Sequence, residues 1–297
     1  MQMRKTVLRI IIIITVWTTL AEAQQTAGRD SMFLFMHRKD FATYTTVAWS
    51  AGAVFMEFQW WWRDDFLYKQ HPFRLANDGY FYNYSYGVDK LGHLFTSYLF
   101  FHTTYDFLRW ADFDEKTSVL SAIAVPAAHA IAIEIADGYS KYAFNPSDLL
   151  FNSLGIVYGV AQTQYPFLRN FNLKWSYIPT ANGGAKDPDW GPASDYSGHI
   201  YWIAIDVHNL LPESAQQYWP KFLNIAVGMG AKNVSFGDTG EKKHKFAISL
   251  DWKMTELPLY GDTWDVIKKL IDKIHFPAPG IKFYSGEKPV GKPLLLN

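Results

Sequence analysis

Cysteine does not occur in the 297 residues, which excludes a disulfide framework, a thiol nucleophile and a thiolate metal site. It also excludes an acylated N-terminal cysteine, so the expectation is an exported chain held together by packing and not tethered as a lipoprotein. Net charge is missing as well, with 28 Lys and Arg against 28 Asp and Glu. Without a basic stripe, nucleic acid is not an expected partner. No internal repeat or low-complexity linker appears. Nor is there a G-x-S-x-G elbow, an H-E-x-x-H zinc helix, a Walker loop or a calcium loop, so catalytic chemistry here would have to be recognised from geometry.

Aromatic side chains are plentiful, at 18% with 12 Trp and 18 Tyr. Trp and Tyr suit surfaces that are apolar at one end and wet at the other, so a membrane boundary is one reading and an aromatic-rich soluble core the other. Residues 1–23 read as a signal peptide: Arg4, Lys5 and Arg9 open it, Ile10 to Val16 form its apolar centre, and Ala21-Glu22-Ala23 its cleavage site. Cleavage before Gln24 removes three positive charges and one negative, leaving a formal balance of −2. The remainder, about 274 residues, is enough for one large domain or two smaller ones.

Helical patterns dominate as far as residue 168. The first runs from Phe41 to Trp62, and a Pro, Gly and Tyr-rich connection with the turn Ala76-Asn77-Asp78-Gly79 follows. The second spans Lys90 to Trp110 with Asp89 as its expected N-cap. The third covers Thr117 to Asp137, where Pro126 should kink or end its first part and Gly138 should stop it. Asn145-Pro146-Ser147-Asp148 opens the fourth, with Asn as cap, Pro at the first helical position and an acid in the first turn. Gly155 and Gly159 give that helix a face for close approach. A membrane span needs about 20 apolar residues, and these segments fall between a buried soluble bundle and membrane-embedded helices. From Phe171 the pattern alternates in FNLKWSYIP, HIYWIAIDVH, FLNIAVGMGA and KFAISLDWKM. The last two read as a hairpin. Four or five strands are too few for an outer-membrane barrel of this chain alone, so a small sheet, then a helix at Thr263–Ile274 and an extended tail, is expected.

Between Gly87 and Gly159 three apolar segments carry sparse polar residues at helical spacing. Asp89 and His93, four apart, share a helix face, as do Glu134 and Asp137, three apart. Asp148, Asn152, Gly155 and Gly159 form one stripe. An unpaired charge on an apolar helix costs several kcal/mol, so Asp89, Lys90, His93, Glu134, Asp137 and Asp148 must face one another, water or a ligand. His129 lies about 140° round from Glu134 and reads as a hydrogen-bonded packing residue. Asp89 and Asp148 also admit a plain capping or helix-dipole role.

The order D-K-x-x-H (Asp89, Lys90, His93), an acidic residue in a small apolar helix (Glu134), then S-D-L-x-x-N-x-x-G (Ser147, Asp148, Asn152, Gly155) resembles the YfiM-like predicted periplasmic lipoproteins, a family of unknown function. It is also similar to the wider VanZ-like group of membrane proteins. The resemblance covers Gly87 to Gly159 and departs from the family in having no lipobox cysteine and an added C-terminal region. Strand pairs and a Pro-Ala-Pro tail in that region are similar to longer YfiM-like proteins of outer-membrane-bearing bacteria. It implies an envelope location, in the periplasm or at the outer membrane, and supplies no reaction.

The expected fold class is α+β: a bundle of about four helices (24–168), then a small antiparallel strand region with a C-terminal helix (169–297). Two functions stay open. One is a non-catalytic envelope protein, structural or binding a lipid or glycan head group, or an envelope protein partner, through the polar cluster. The other is a metal-assisted hydrolase or transferase acting on an envelope lipid or lipid-linked glycan. His93 and Glu134 would be its catalytic residues, with Asp89, Lys90, Asp137, Asp148 and Asn152 binding. Asp89, His93, Glu134 and Asp148 are the candidate ligands of a divalent ion such as Mg²⁺, Mn²⁺ or Zn²⁺.

Overall fold

The computed structural model describes residues 32–33, 36–180, 194–235 and 237–297; the expected signal peptide lies outside them. The protein is α+β, with its long helices in the first half and one six-stranded antiparallel sheet in the second.

Helix α1 spans Arg38–Glu57 and runs on through two wider π turns, Phe58–Trp62 and Asp65–Lys69. Gln70 then ends the run in the left-handed region, at φ 53°. Helix α2 covers Val88–Trp110, α3 Glu115–Gly138 and α4 Pro146–Gln164. The cap of α3 is Asp114, whose carboxylate accepts from the Thr117 amide at 2.9 Å and the Thr117 hydroxyl at 2.7 Å. The expected stop at Pro126 does not occur. Proline removes one backbone bond to residue 122, and α3 nevertheless runs on through it to Gly138. Gly138 is the last residue of α3, and the Phe73 ring occupies the space a Cβ would need there, so the position admits only glycine.

Two compact units divide the described residues, one holding those up to Asn77 and Thr96–Val160, the other Asp78–Phe95 and Ala161–Asn297. In the first, Phe101, Ala122 and Ile156 form one core cluster, and Trp62, Ile133 and Ala136 another. Among the described residues α3 is the one helix long and apolar enough to cross a membrane by length and composition, and half of its most apolar window is buried.

The second unit holds the sheet. Strands β1 (Phe171–Tyr177), β2 (His199–Ile205), β3 (Leu223–Lys232), β4 (Lys243–Trp252), β5 (Ala278–Tyr284) and β6 (Val290–Leu295) pair in chain order, all antiparallel. The expected hairpin is β3–β4, in the register Val227 opposite Ile248. Helix α5 (Asp262–Ile271) lies where a last helix was expected, but it is not C-terminal: the tail beyond it forms β5 and β6.

Alternate residues of each strand point to opposite faces. The inner face packs Ile200, Trp202, Ala204, Ala226, Ala247 and Leu295. Gly228 lies under Trp202, where a Cβ would come within 2.5 Å of the indole. Buried among them is a charged network in which Lys174 Nζ lies 2.8 Å from Asp251 and 2.9 Å from Asp272. His275 Nδ1 is 3.0 Å from Asp251, and its ring stacks on Trp202 at 4.0 Å. The sheet curls until its ends meet, since the Ser176 hydroxyl of β1 donates to the Leu296 carbonyl, just beyond β6, at 2.5 Å.

Candidate functional site

The segment before α2 is a folded polar turn. Asn83 Oδ1 accepts from the Ser85 amide at 3.1 Å, the Ser85 hydroxyl at 3.0 Å and the Gly87 amide at 3.1 Å, while its Nδ2 donates to Asp78 at 3.2 Å. Gly87 takes φ 84°, and Phe81 packs where its side chain would be. This turn sets α2 going at Val88, two residues earlier than Asp89 as cap would require. The Ser85 hydroxyl receives the Asp89 amide at 3.2 Å. Ser85 therefore does the capping and the Asp89 carboxylate is released for other contacts.

Those contacts centre on Lys90, which has no exposed surface. Its Nζ donates to Asp78 Oδ1 at 2.8 Å and to Asp89 Oδ2 at 3.1 Å. Tyr196 donates its hydroxyl to Asp89 Oδ1 at 3.1 Å, and His93 Nε2 lies 3.8 Å from the same oxygen. Burial alone would raise the pKa of Asp89, but the charges of His93 and Lys90, with hydrogen bonds from Lys90 and Tyr196, outweigh it and hold the carboxyl below its usual range. The neighbouring Tyr201 hydroxyl is pushed up by burial and by the Asp89 charge. It lies 3.1 Å from the point a Gly92 Cβ would occupy, so that glycine leaves room for it. Lys90 with Asp78 and Asp89 sums to −1, which neutral His93 leaves in place and protonated His93 balances. The Asp89 and His93 side chains keep some contact with solvent, at 11% and 18% exposure.

In the other unit the acidic residues go to separate places. Glu134, fully buried on α3, accepts the Asn145 amide at 2.8 Å. Asn145 in turn caps α4, accepting from the Ser147 amide at 3.1 Å and the Ser147 hydroxyl at 2.8 Å. Asp148 lies buried in the first turn of α4. One turn further along, Asn152 accepts from the Ser97 hydroxyl of α2 at 2.8 Å. Asp137 accepts the Trp62 indole N–H at 2.6 Å. Glu134 and Asp137, read as one face in the sequence, thus go to separate tasks. His129 packs as expected: it stacks on Phe100 at 4.6 Å and its Nε2 is 3.0 Å from Glu57.

Three participants escaped the sequence. Asp78 read as a turn residue, and its position before a helix carrying a buried lysine was the available signal. Tyr196, 107 residues from Asp89, had none. Asp65 closed the first apolar segment in the sequence; its buried carboxylate accepts the Lys141 amide at 3.0 Å and meets His71 at 3.2 Å. Burial would raise its pKa, and the hydrogen bonds from Lys141 and His71 lower it overall.

No curated protein and no solved structure matches the chain. The likeness to the VanZ-like group rests on the motif alone. One family does match. Its members are described as lipoproteins, although these 297 residues contain no cysteine to carry an acyl chain. The stretch 77–164, which contains Asp78 and every site residue expected from the sequence, matches the family described as predicted periplasmic lipoprotein (DUF2279), of unknown function, and this match supports an exported, periplasmic location.

Proposed function

We propose that this chain is a non-catalytic envelope protein that binds a cationic group at Asp89 and His93. The observation that carries the reading is the fully buried Lys90, held by Asp78 and Asp89. The lysine is spent within the protein, and the surplus negative charge beside a partly exposed imidazole favours a cation over a phosphate. A carboxylate beside an imidazole suits a divalent ion. The cation is either such an ion or the ammonium of an envelope lipid or glycan head group.

The alternative, a metal-assisted hydrolase or transferase with Glu134 as a catalytic carboxylate, draws less support. The Asn145 amide bond to Glu134 is a fold-holding contact of the kind that also gathers polar groups without chemistry.

The test is metal analysis of the purified protein beside His93→Ala and Asp89→Asn, both checked by circular dichroism, with parallel flotation on vesicles with and without phosphatidylethanolamine. A bound stoichiometric ion that the folded variants lose assigns the metal. Ethanolamine-dependent flotation that the variants lose assigns the ammonium. If the wild type shows neither, the cluster is a structural clamp and the reading fails.

A further inference from the structure

The sheet is inverted in polarity. Its inner positions carry the charges, Lys174, Lys245 and Asp251 among them, all buried. On the outer face of β1–β5 there is no Asp, Glu, Lys or Arg at any position. The central outer row runs across five strands in direct register, Leu173, Ile203, Val227, Ile248 and Ile281. Four of these remain exposed, Ile203 and Val227 at 46%, Ile248 at 51% and Ile281 at 50%. An antiparallel sheet in water keeps its apolar face inside and its polar face out, and contiguous exposed apolar patches mark interaction surfaces.

Curvature narrows the choice of occupant. The ends of the sheet meet through Ser176 and Leu296, so the apolar face is the convex one. Two convex faces touch only along a line, which disfavours a second copy of the chain; fluid hydrocarbon conforms to any curvature. The two outer rows of β1–β4 that Phe95 leaves open, Phe171 to Leu250 and Leu173 to Ile248, span only ~7 Å at roughly 3.3 Å per residue, against about 30 Å for a bilayer core. That depth stays within one leaflet. Exposed aromatic side chains follow at the end of the sheet where β1 starts and β4 finishes, namely Phe167, Tyr218, Phe222 and Tyr260, in keeping with aromatic enrichment at membrane interfaces.

Phe95 and Val88 cover Trp175, Tyr201 and Ala231 at one end of this face, and from the rest of the geometry we infer that its open part, the row from Leu173 to Ile281 and the row beside it toward the start of β1, is seated in the acyl chains of one leaflet of an envelope membrane. The lack of cysteine permits a clean test, because Ile248→Cys and, as a control, Lys288→Cys each provide a single attachment point for a polarity-sensitive fluorophore on the full chain. In vesicles of phosphatidylethanolamine and phosphatidylglycerol, the label at 248 is expected to shift to the blue and be quenched by brominated acyl chains, while the label at 288 stays in water. Val227→Glu with Ile248→Glu, folded by circular dichroism, should reduce flotation of the unlabelled protein by about tenfold or more. A label at 248 that remains in water while the protein floats overturns the inference. So does a label buried without lipid in a protein that sediments as a dimer, which would give the face to a second copy.

Discussion

Lys90 is the residue on which the site depends. It is buried without exposed surface, and its two partners are only partly accessible, Asp78 at 23% and Asp89 at 11%. Removing one member of a buried pair strands the others. Lys90→Met is therefore expected to lower stability by about 3–5 kcal/mol, read from urea unfolding at pH 7. Tyr196→Phe removes one hydrogen bond to Asp89 and should cost about 1–2 kcal/mol. The pH dependence has a definite sign. The folded pKa of Asp89 is below the ordinary 3.8, so its contribution is fully present above that value and is lost as pH falls through the lowered one. The stability gap between wild type and Asp89→Asn should accordingly be widest near neutral pH and shrink once the pH drops below 3.8. A gap that stays constant down to pH 2 would remove Asp89 from the ion pair.

Among the elements, α4 offers a test in which two effects oppose each other. Replacing glycine by alanine inside a helix normally stabilises by about 1 kcal/mol. At Gly159, however, the new Cβ would lie 2.4 Å from the Phe101 ring, and overpacking of that kind costs about 1–3 kcal/mol. Gly159→Ala is expected to unfold at lower urea than wild type, and a gain would show that the helices yield at this contact. The small-residue stripe was legible in the sequence, as were the cap at Asn145 and the alternation of β1 to β4, because each is a local pattern. Strands β5 and β6 were not. Pro279, Pro293 and Gly280 break the alternation, and proline is tolerated there only because pairing is sparse toward a sheet's edge. The stop expected at Pro126 failed for the opposite reason, because one missing backbone bond is outweighed by the rest of a 24-residue helix. Of the site, the motif residues were visible and their partners were not, since Asp78 and Tyr196 reach Lys90 and Asp89 through folding and not through spacing.

At the level of the whole chain, a boundary near Arg169 looks natural in the sequence because the pattern turns there from helical to alternating. The unit that contains the sheet also takes in Asp78–Phe95, and its contacts make that segment part of the sheet's core. Val88 packs with Ala231 and Val234, Phe95 stacks near Trp175 and Tyr201 at 6.3 and 5.7 Å, and the Phe81 carbonyl lies 2.8 Å from His244 Nε2. On the N-terminal side of β1, Gln162 donates to the carbonyls of Leu168 and Phe171 at 3.0 and 2.8 Å. A fragment of residues 169–297 loses all of these and uncovers the Val88 cluster. It is expected to bind a hydrophobic dye and to unfold without a cooperative transition, whereas a chain joining residues 78–95 through a flexible linker to 161–297 should recover cooperative melting. A cooperative transition in the short fragment would mean that the sheet closes its own core. The motif-bearing turn and the first two turns of α2 would then be additions to a finished fold, and Lys90 could no longer be argued as a residue whose burial the sheet requires.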